Sequence, residues 1–288
     1  MNNILLSELN QVNIGNFFKI LSKDADIPNV SLANIDVAAL SGTMHLCPTA
    51  SFFLTECDTD HQHAVRPIGV LLCSVNGTHA DILLIYIAPK YRRAHLGQDI
   101  LTHGLNILRS HNVSTVSLDV LSDNEPAIRL YTRNGFTQTG TVVTLRNETS
   151  SFYQEPKHIC LKKTPSLLIM PTLRMFSSGT TLHKDICNNI SYLSSLTDCN
   201  QAEFVTVQRD NKTVGYCIFS RRQNTLRIHQ YGMKNDDEQL LFETLSALIQ
   251  TCTIVLLQIQ GCETDQIERF IQHGFYIDFT QQQFIKKI

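Results

Sequence analysis

Arg92 and Arg93 are adjacent cations at the end of an apolar run, and their setting gives them a chemical use. They open the segment Tyr91-Arg92-Arg93-Ala94-His95-Leu96-Gly97-Gln98. The run before them, Ile82-Leu83-Leu84-Ile85-Tyr86-Ile87-Ala88, is too short for a helix of its own and rich in β-branched residues. Pro89 closes it, so it reads as a buried strand. From Leu96 the pattern turns helical. Leu96, Ile100, Gly104 and Leu108 recur every four residues, with Leu101 and Leu105 in the adjacent row, while His103, Asn106 and Arg109 fall on the wet side. A strand, a tight turn and a helix start together make an anion site. Unpaired N–H groups and the positive end of the helix dipole converge there on a phosphate. The bland alternative for the arginine pair is a solvated turn.

The elements that follow have clear edges. Thr115-Val116-Ser117-Leu118-Asp119-Val120-Leu121 alternates strictly, which sets Val116, Leu118 and Val120 on one face of a strand and Asp119 on the other. Asn124 is placed to cap a short helix from Glu125 to Arg133, on which Ala127, Leu130 and Tyr131 share a face. Gly135 stops that helix where a left-handed residue is wanted, and Phe136 leads into the next strand.

These residues carry a resemblance. Arg92-x-x-x-x-Gly97 after a strand, then Leu118-x-Val120-x-x-x-Asn124-x-x-Ala127-x-x-Leu130-Tyr131-x-x-x-Gly135-Phe136, looks like the GCN5-related N-acetyltransferase (GNAT) superfamily. The second block is the more specific signal, since glycine-containing phosphate turns are common. The chain departs from the family's pattern once: His95 stands where the first glycine of the turn is expected. Histidine reaches positive φ more readily than most residues, which lets such a turn survive.

The resemblance implies a mixed-sheet α/β unit that takes acetyl-CoA as cosubstrate. The two central parallel strands would splay to admit the pantetheine arm, with Ile85 and Ile87 offering backbone groups to its amides. Arg92, Arg93, Ala94, His95, Leu96, Gly97 and Gln98 would hold the pyrophosphate, and Asn124, Ala127 and Tyr131 would also touch the cofactor. Direct attack of a neutral amine gives a tetrahedral oxyanion whose collapse expels a thiolate. Tyr131, with an ordinary pKa of about 10, suits the role of proton donor to that sulfur. Asp119 lies where ribosomal-protein alanine N-acetyltransferases of the superfamily carry a glutamate, and it is the candidate base, acting directly or through water. A free aspartate near pKa 3.9 is a weak base for an ammonium ion, so burial or a relay would have to help it. The bland readings are a core tyrosine and a hydrogen-bonded structural carboxylate. The acceptor implied is an amine, a peptide α-amine first and a small-molecule amine second. The reading from another class is an acyl-CoA-binding sensor or partner-binding module without turnover.

Length and composition set the outer bounds. The chain has 288 residues, 43% hydrophobic and 17% charged, with a formal net charge of −2. That is ample for two domains and offers no global field toward nucleic acid or an anionic membrane. No apolar stretch approaches the ~20 residues of a membrane-crossing helix, and the start, Met1-Asn2-Asn3-Ile4, reads as no signal peptide, so a cytoplasmic setting is expected. The Asn-x-Ser/Thr triplets at Asn76, Asn112, Asn147, Asn189 and Asn211 then carry no glycosylation message. Nine cysteines are scattered without a CxxC pair, which fits free thiols. His45, Cys47, Cys57, His61, His63 and Cys73 invite a zinc site, but the spacing matches no common one, and no metal is expected. No Ser-His-Asp or Cys-His order argues for an acyl-enzyme; Cys73 and Cys160 are the thiols such a reading would use.

The sequence divides near residue 164, into a catalytic unit 1–163 and a second unit 164–288. Leu167-Leu168-Ile169-Met170 reads as a strand after Thr164-Pro165. Beyond it the order of the first half returns. Glu203–Val207 and Val214–Phe219 flank the polar turn Asp210-Asn211-Lys212 as a hairpin, Glu238–Gln250 is an amphipathic helix, Ile254–Ile259 a strand, and Asp265–Gln272 a short helix before Gly274-Phe275. A slide of 139 residues lays Gly135-Phe136 on Gly274-Phe275, the mark of a tandem duplication. The second copy lacks the site: Lys234-Asn235-Asp236-Asp237-Glu238 replaces the arginine turn, Phe270 replaces Tyr131, Glu263 replaces Asn124, and Gln258 replaces Asp119. Carboxylates at that helix start would repel a pyrophosphate, so this copy reads as degenerate and non-catalytic.

Overall fold

A computed structural model describes residues 3–8, 46–57, 65–148, 159–176, 193–194, 197–198, 200–249, 252–260 and 263–288. His45, His61, His63 and Asn189 lie outside them. The chain forms two compact units, Met1–Thr139 with Gln283–Ile288, and Gly140–Gln282.

In the first unit, strands β1 (Asn3–Glu8), β2 (Phe52–Cys57), β3 (Val65–Asn76), β4 (His79–Ile87) and β5 (Thr115–Leu121) lie side by side in that order. Its last strand is the end of β12 (Tyr276–Lys287), next to β5. Helix α1 (Leu96–Ser110) joins β4 to β5, and α2 (Glu125–Arg133) follows β5. The apolar stripe read from the sequence is the buried face of α1: Ile100, Leu101, Gly104, Leu105 and Leu108. It packs with Leu71, Cys73, Ala80, Ile82, Val116, Leu118 and Val120 of the sheet. Each buried Leu, Ile or Val side chain contributes at most about 1.5–3 kcal/mol. Gly104 has a packing reason, since a Cβ there would lie 2.2 Å from Leu71 Cδ2.

One irregularity positions the site. β4 and β5 pair in parallel only from His79↔Thr115 to Ile82↔Leu118, although both strands continue, β4 as far as Ile87. At the same level the β3–β4 ladder shifts register between Leu72↔Leu84 and Cys73↔Ile82, leaving Leu83 as the extra residue of a bulge. A bulge bends its strand and raises its twist, and here β4 leaves its parallel neighbour where it does so. Leu84 to Ile87 therefore carry no ladder partner on the β5 side.

The second unit repeats this plan. Strands lie in the order β6 (Thr137–Asn147, of which 140–147 belong here), β11 (Ile254–Gln260), β10 (Thr225–Met233), β9 (Lys212–Arg222), β8 (Glu203–Arg209) and β7 (Cys160–Lys163). Helices α3 (Ile169–Phe176), α4 (Glu238–Ile249) and α5 (Thr264–Gln272) belong to it among the described residues. The β8–β9 hairpin turns at Asp210 and Asn211, both left-handed at φ 52 and 59. β10 and β11 pair in parallel from Thr225↔Ile254 to Ile228↔Leu257 and stop, and the β9–β10 register shifts between Ile228 and Gln230, leaving His229 as the extra residue.

Two sequence expectations differ from the structure. Leu167–Met170 is no strand: Ser166–Leu168 is a 3-10 turn and Ile169 starts α3. Ile169 and Leu173 are buried one turn apart while Leu167 is 76% exposed, so the helical period governs what looked like a continuous apolar run. The compact units part at Thr139 rather than near residue 164. The physical reason is an exchange of strands. β6 and β12 are equivalent under the 139-residue repeat, yet β6 pairs with β11 (Val255↔Asn147 to Gln260↔Val142), and the end of β12 completes the first unit through Ile288 N–H to Ser114 carbonyl at 3.0 Å.

Candidate active site

The turn after β4 is set by two left-handed residues and leaves a row of amides without backbone partners. Arg93 and His95 are left-handed, at φ 64 and φ 60, so His95 supplies the backbone angle expected of the family's glycine. Alternation of left- and right-handed residues turns successive N–H groups toward one point. Among the described residues, the amides of Arg93, Ala94, His95, Leu96 and Gly97 donate to no backbone carbonyl, whereas those of Gln98 and Asp99 both go to His95 carbonyl, at 2.9 and 3.1 Å. Five consecutive free donors thus stand at the positive end of the 15-residue helix α1. No side chain caps that end.

Side chains around the turn hold it in place. Arg92 Nε donates to Ile87 carbonyl at 2.9 Å, and its guanidinium lies 5.8 Å from the Tyr86 ring centroid. A carbonyl has two lone pairs, so Ile87 keeps one for another donor. Gln98 and Asn134 form a reciprocal amide pair at 2.6 and 2.8 Å, tying the start of α1 to the end of α2. The Gln98 side chain and N–H are thereby spent on the protein. Tyr91 donates to the Glu56 carboxylate, anchoring the turn to β2. Sequence reasoning missed Glu56 and Asn134 as site residues; their partners lie 35 and 36 positions away, and no local pattern signals such pairs.

α2 brings the second group of residues. Asn124 Oδ1 accepts from Ala127 N–H at 3.3 Å, the cap its type and place predict. Ala127 and Leu130 pack against the first unit's core, and Tyr131 is part of it, with ring centroids 5.8 Å from Phe136 and 6.4 Å from Phe284. Burial pushes the Tyr131 phenol above its ordinary value, so it is protonated throughout the neutral range. Ile85 and Ile87 lie half-buried on the stretch of β4 that pairs with β3 alone, with no ladder partner on the β5 side. Asp119 is exposed, alternating with the buried Leu118 and Val120 along β5, while Tyr131 clusters with those two. The strand register sends the two candidate catalytic side chains to opposite faces of β5.

Two nucleophile readings can be weighed by geometry. His79, Asp81 and Ser117 meet on β4 and β5, but Ser117 Oγ at 2.9 Å and Asp81 Oδ1 at 3.2 Å both face His79 Nε2, and Ser117 also donates to Asp81. A relay needs hydroxyl and carboxylate on different ring nitrogens; this cluster is a local hydrogen-bond knot. Cys73 is fully buried, and desolvation pushes its thiol far up, which disfavours a thiolate. No group of three or more metal-ligating side chains occurs among the described residues.

Residues 34–136 match the model of the Acetyltransferase (GNAT) family. The same fold covers the whole chain in a tandem GNAT protein from the clavulanic acid biosynthesis pathway: 13% identity over 99% of this chain and 98% of that one, at a TM-score of 0.72. Over its whole length the chain shares the fold of that tandem protein. A GCN5-related N-acetyltransferase from Sphaerobacter thermophilus superposes with a TM-score of 0.71 at 14% identity, covering 99% and 95% of the two chains. A putative acetyltransferase from Pyrococcus horikoshii gives 0.68 at 13%, covering 99% and 89%. No curated protein sequence matches the chain. At these identities the likeness shows the fold. No helix among the described residues is long and apolar enough to cross a membrane.

Proposed function

We propose that the first unit is an acetyl-CoA-dependent N-acetyltransferase that moves the acetyl group directly to a primary amine within a ternary complex. The observation that carries this reading is the row of five free amides from Arg93 to Gly97, set beside the point where β4 and β5 part. A pyrophosphate satisfies such donors without a cation of its own. A pantetheine arm supplies amide partners for Ile85 and Ile87, where β4 has no ladder partner on the β5 side. When bound, the cosubstrate brings an activated acyl thioester. Arg92 and Arg93 balance the phosphate charge, and Asn124 and Ala127 fix the end of α2 beside it.

Tyr131 is the proposed proton donor to the departing sulfur. Its raised pKa keeps the proton available, and the same low-dielectric surroundings raise the thiolate's affinity for it. Asp119, being exposed, would take the amine's proton through water rather than by direct contact with Tyr131's neighbourhood. The acceptor proposed first is a peptide α-amine, with a small-molecule amine second. The second unit is proposed as a non-catalytic copy: Phe270 has no proton to give where Tyr131 stands in the first. A cytoplasmic setting fits the free thiols Cys47, Cys73, Cys160, Cys217 and Cys252.

The test is release of CoA thiol from acetyl-CoA across a panel of peptides and amines, for the natural chain and Tyr131→Phe. Turnover falling by about 10²–10⁴-fold with cofactor affinity unchanged supports the assignment. The natural chain's rate should also show no alkaline downturn from Tyr131 at pH 10, because burial holds the phenol above that value. Tight acetyl-CoA binding without turnover on any acceptor would establish the sensor instead.

A further inference from the structure

Two cysteines of the first unit face each other across a short ladder. Leu46 and Ser74 form an antiparallel bridge, and Cys47 N–H donates to Cys73 carbonyl at 2.8 Å. Cys47 and Cys73 are therefore the next opposed pair. Opposed residues of an antiparallel ladder point to one face, and both thiols do so here: Cys73 belongs to the core under α1, and Cys47 packs against that core. A pair joined by such a backbone bond has its Cα atoms about 5.5 Å apart, within the span of about 4.4–6.8 Å that a disulfide bridges. Ser51 Oγ steadies Cys73 further, accepting from its N–H at 2.9 Å and donating to its carbonyl at 3.3 Å. Both thiols are free.

The two sulfurs differ in access and in partners. Cys73 is fully buried, and burial, then the neighbouring Cys47, push its thiol up. Cys47 is half-buried, so it is the one a solute meets. Its Sγ lies 3.3 Å from Thr49 Oγ1, which in turn lies 3.0 Å from His111 Nε2. Thr49 is set in the 3-10 turn Pro48–Ala50, and His111 caps the end of α1. A hydroxyl both donates and accepts. With the thiol donating to Thr49 and Thr49 to a neutral imidazole, moving both protons along leaves an imidazolium and a thiolate that accepts from Thr49. The thiolate is the nucleophile of disulfide exchange.

We propose that Cys47 and Cys73 are an oxidation site that closes to a reversible disulfide on reaction with a low-molecular-weight disulfide such as oxidised glutathione. Cys47 attacks one sulfur of the small disulfide and becomes a mixed disulfide. The expelled thiolate takes up the proton released through Thr49 and His111. Cys73 then attacks Cys47 Sγ, the bond to the small thiol breaks, and that thiol leaves with the Cys73 proton. The protein pair loses two electrons and two protons, and the small disulfide becomes two thiols. The new bond fastens the segment entering β2 to β3 at Cys73, where the β3–β4 register shifts. Transient, redox-sensing disulfides are the kind a reducing compartment keeps. Nothing in this inference rests on acetyl transfer.

The test uses the full chain, reduced, desalted and exposed to about 1 mM oxidised glutathione at pH 7.5. Remaining thiols are then alkylated and chymotryptic peptides are read by mass spectrometry. The expected product joins the Cys47 and Cys73 peptides, lighter by two hydrogens, and dithiothreitol separates them. Cys73→Ala should instead accumulate glutathione on Cys47. Should that buried substitution unfold the chain, Cys47→Ser, at the half-buried position, should leave Cys73 reduced. Thr49→Val and His111→Gln, both at exposed positions, should slow the cross-link by about threefold or more through loss of the proton route. A lasting glutathione adduct on Cys47 of the natural chain, a bond from Cys47 to another cysteine, oxidation of Cys73 in Cys47→Ser, or unchanged rates in both Thr49→Val and His111→Gln would each overturn the proposal.

Discussion

His95→Val tests the cradle at its least tolerant point. His95 holds φ 60 and ψ 1 without a side-chain hydrogen bond to the helix it precedes. An L-residue pays about 1–2 kcal/mol to sit there, histidine less than most. A β-branched side chain adds about another 1–2 kcal/mol and favours extended backbone. The free turn in the variant therefore leaves the left-handed conformation, and CoA must rebuild it before the amides of Arg93 to Gly97 converge. An apparent dissociation constant rises by the inverse of the competent fraction, so 1.4 kcal/mol becomes tenfold. The expectation is about a ten- to thirtyfold loss of CoA affinity by calorimetry. His95→Gly, which reaches the same φ freely, should stay within about threefold of the natural chain. His95 is exposed, so the melting temperature should barely move in either variant. If His95→Val binds CoA as tightly as the natural chain, the left-handed turn is not what assembles the phosphate site.

Two further outcomes concern stability. Gly104→Val places a Cβ 2.2 Å from Leu71 Cδ2, and Leu71 is fully buried; overpacking outweighs the gain in helix propensity and should cost about 2–3 kcal/mol, read as a lower urea midpoint. An unchanged midpoint would show that α1 has room against β3. His229 is held neutral down to about pH 3 by desolvation, with Arg227 and Arg222 adding to it. Its folded pKa is depressed, so the stability it contributes is complete above pH 6.5 and is lost as pH falls toward 3. At pH 5 the loss is at most about 2 kcal/mol. His229→Gln, which can still meet Ser220 Oγ, should remove that part of the acid sensitivity from denaturant midpoints compared at pH 7.5 and 5, and equal pH slopes would sink the assignment.

Local sequence was enough wherever the governing interactions are local. The edges of β5 and α2, the Asn124 cap, the left-handed stops at Gly135 and Gly274 and the 139-residue repeat are all set by side-chain period and by backbone angles that few residue types tolerate. So is the turn at Arg92–Gly97, whose one odd residue, His95, can still reach positive φ. Long-range pairing decided the rest. That β4 parts from β5 after Ile82 depends on a bulge expressed only against β3. The resemblance joins Asp119 and Tyr131 as candidate base and acid, yet strand register turns them to opposite faces of β5. The exchange of β6 and β12 between otherwise equivalent places rests on which strand wins the edge of β11, a competition between two similar sequences that neither one records.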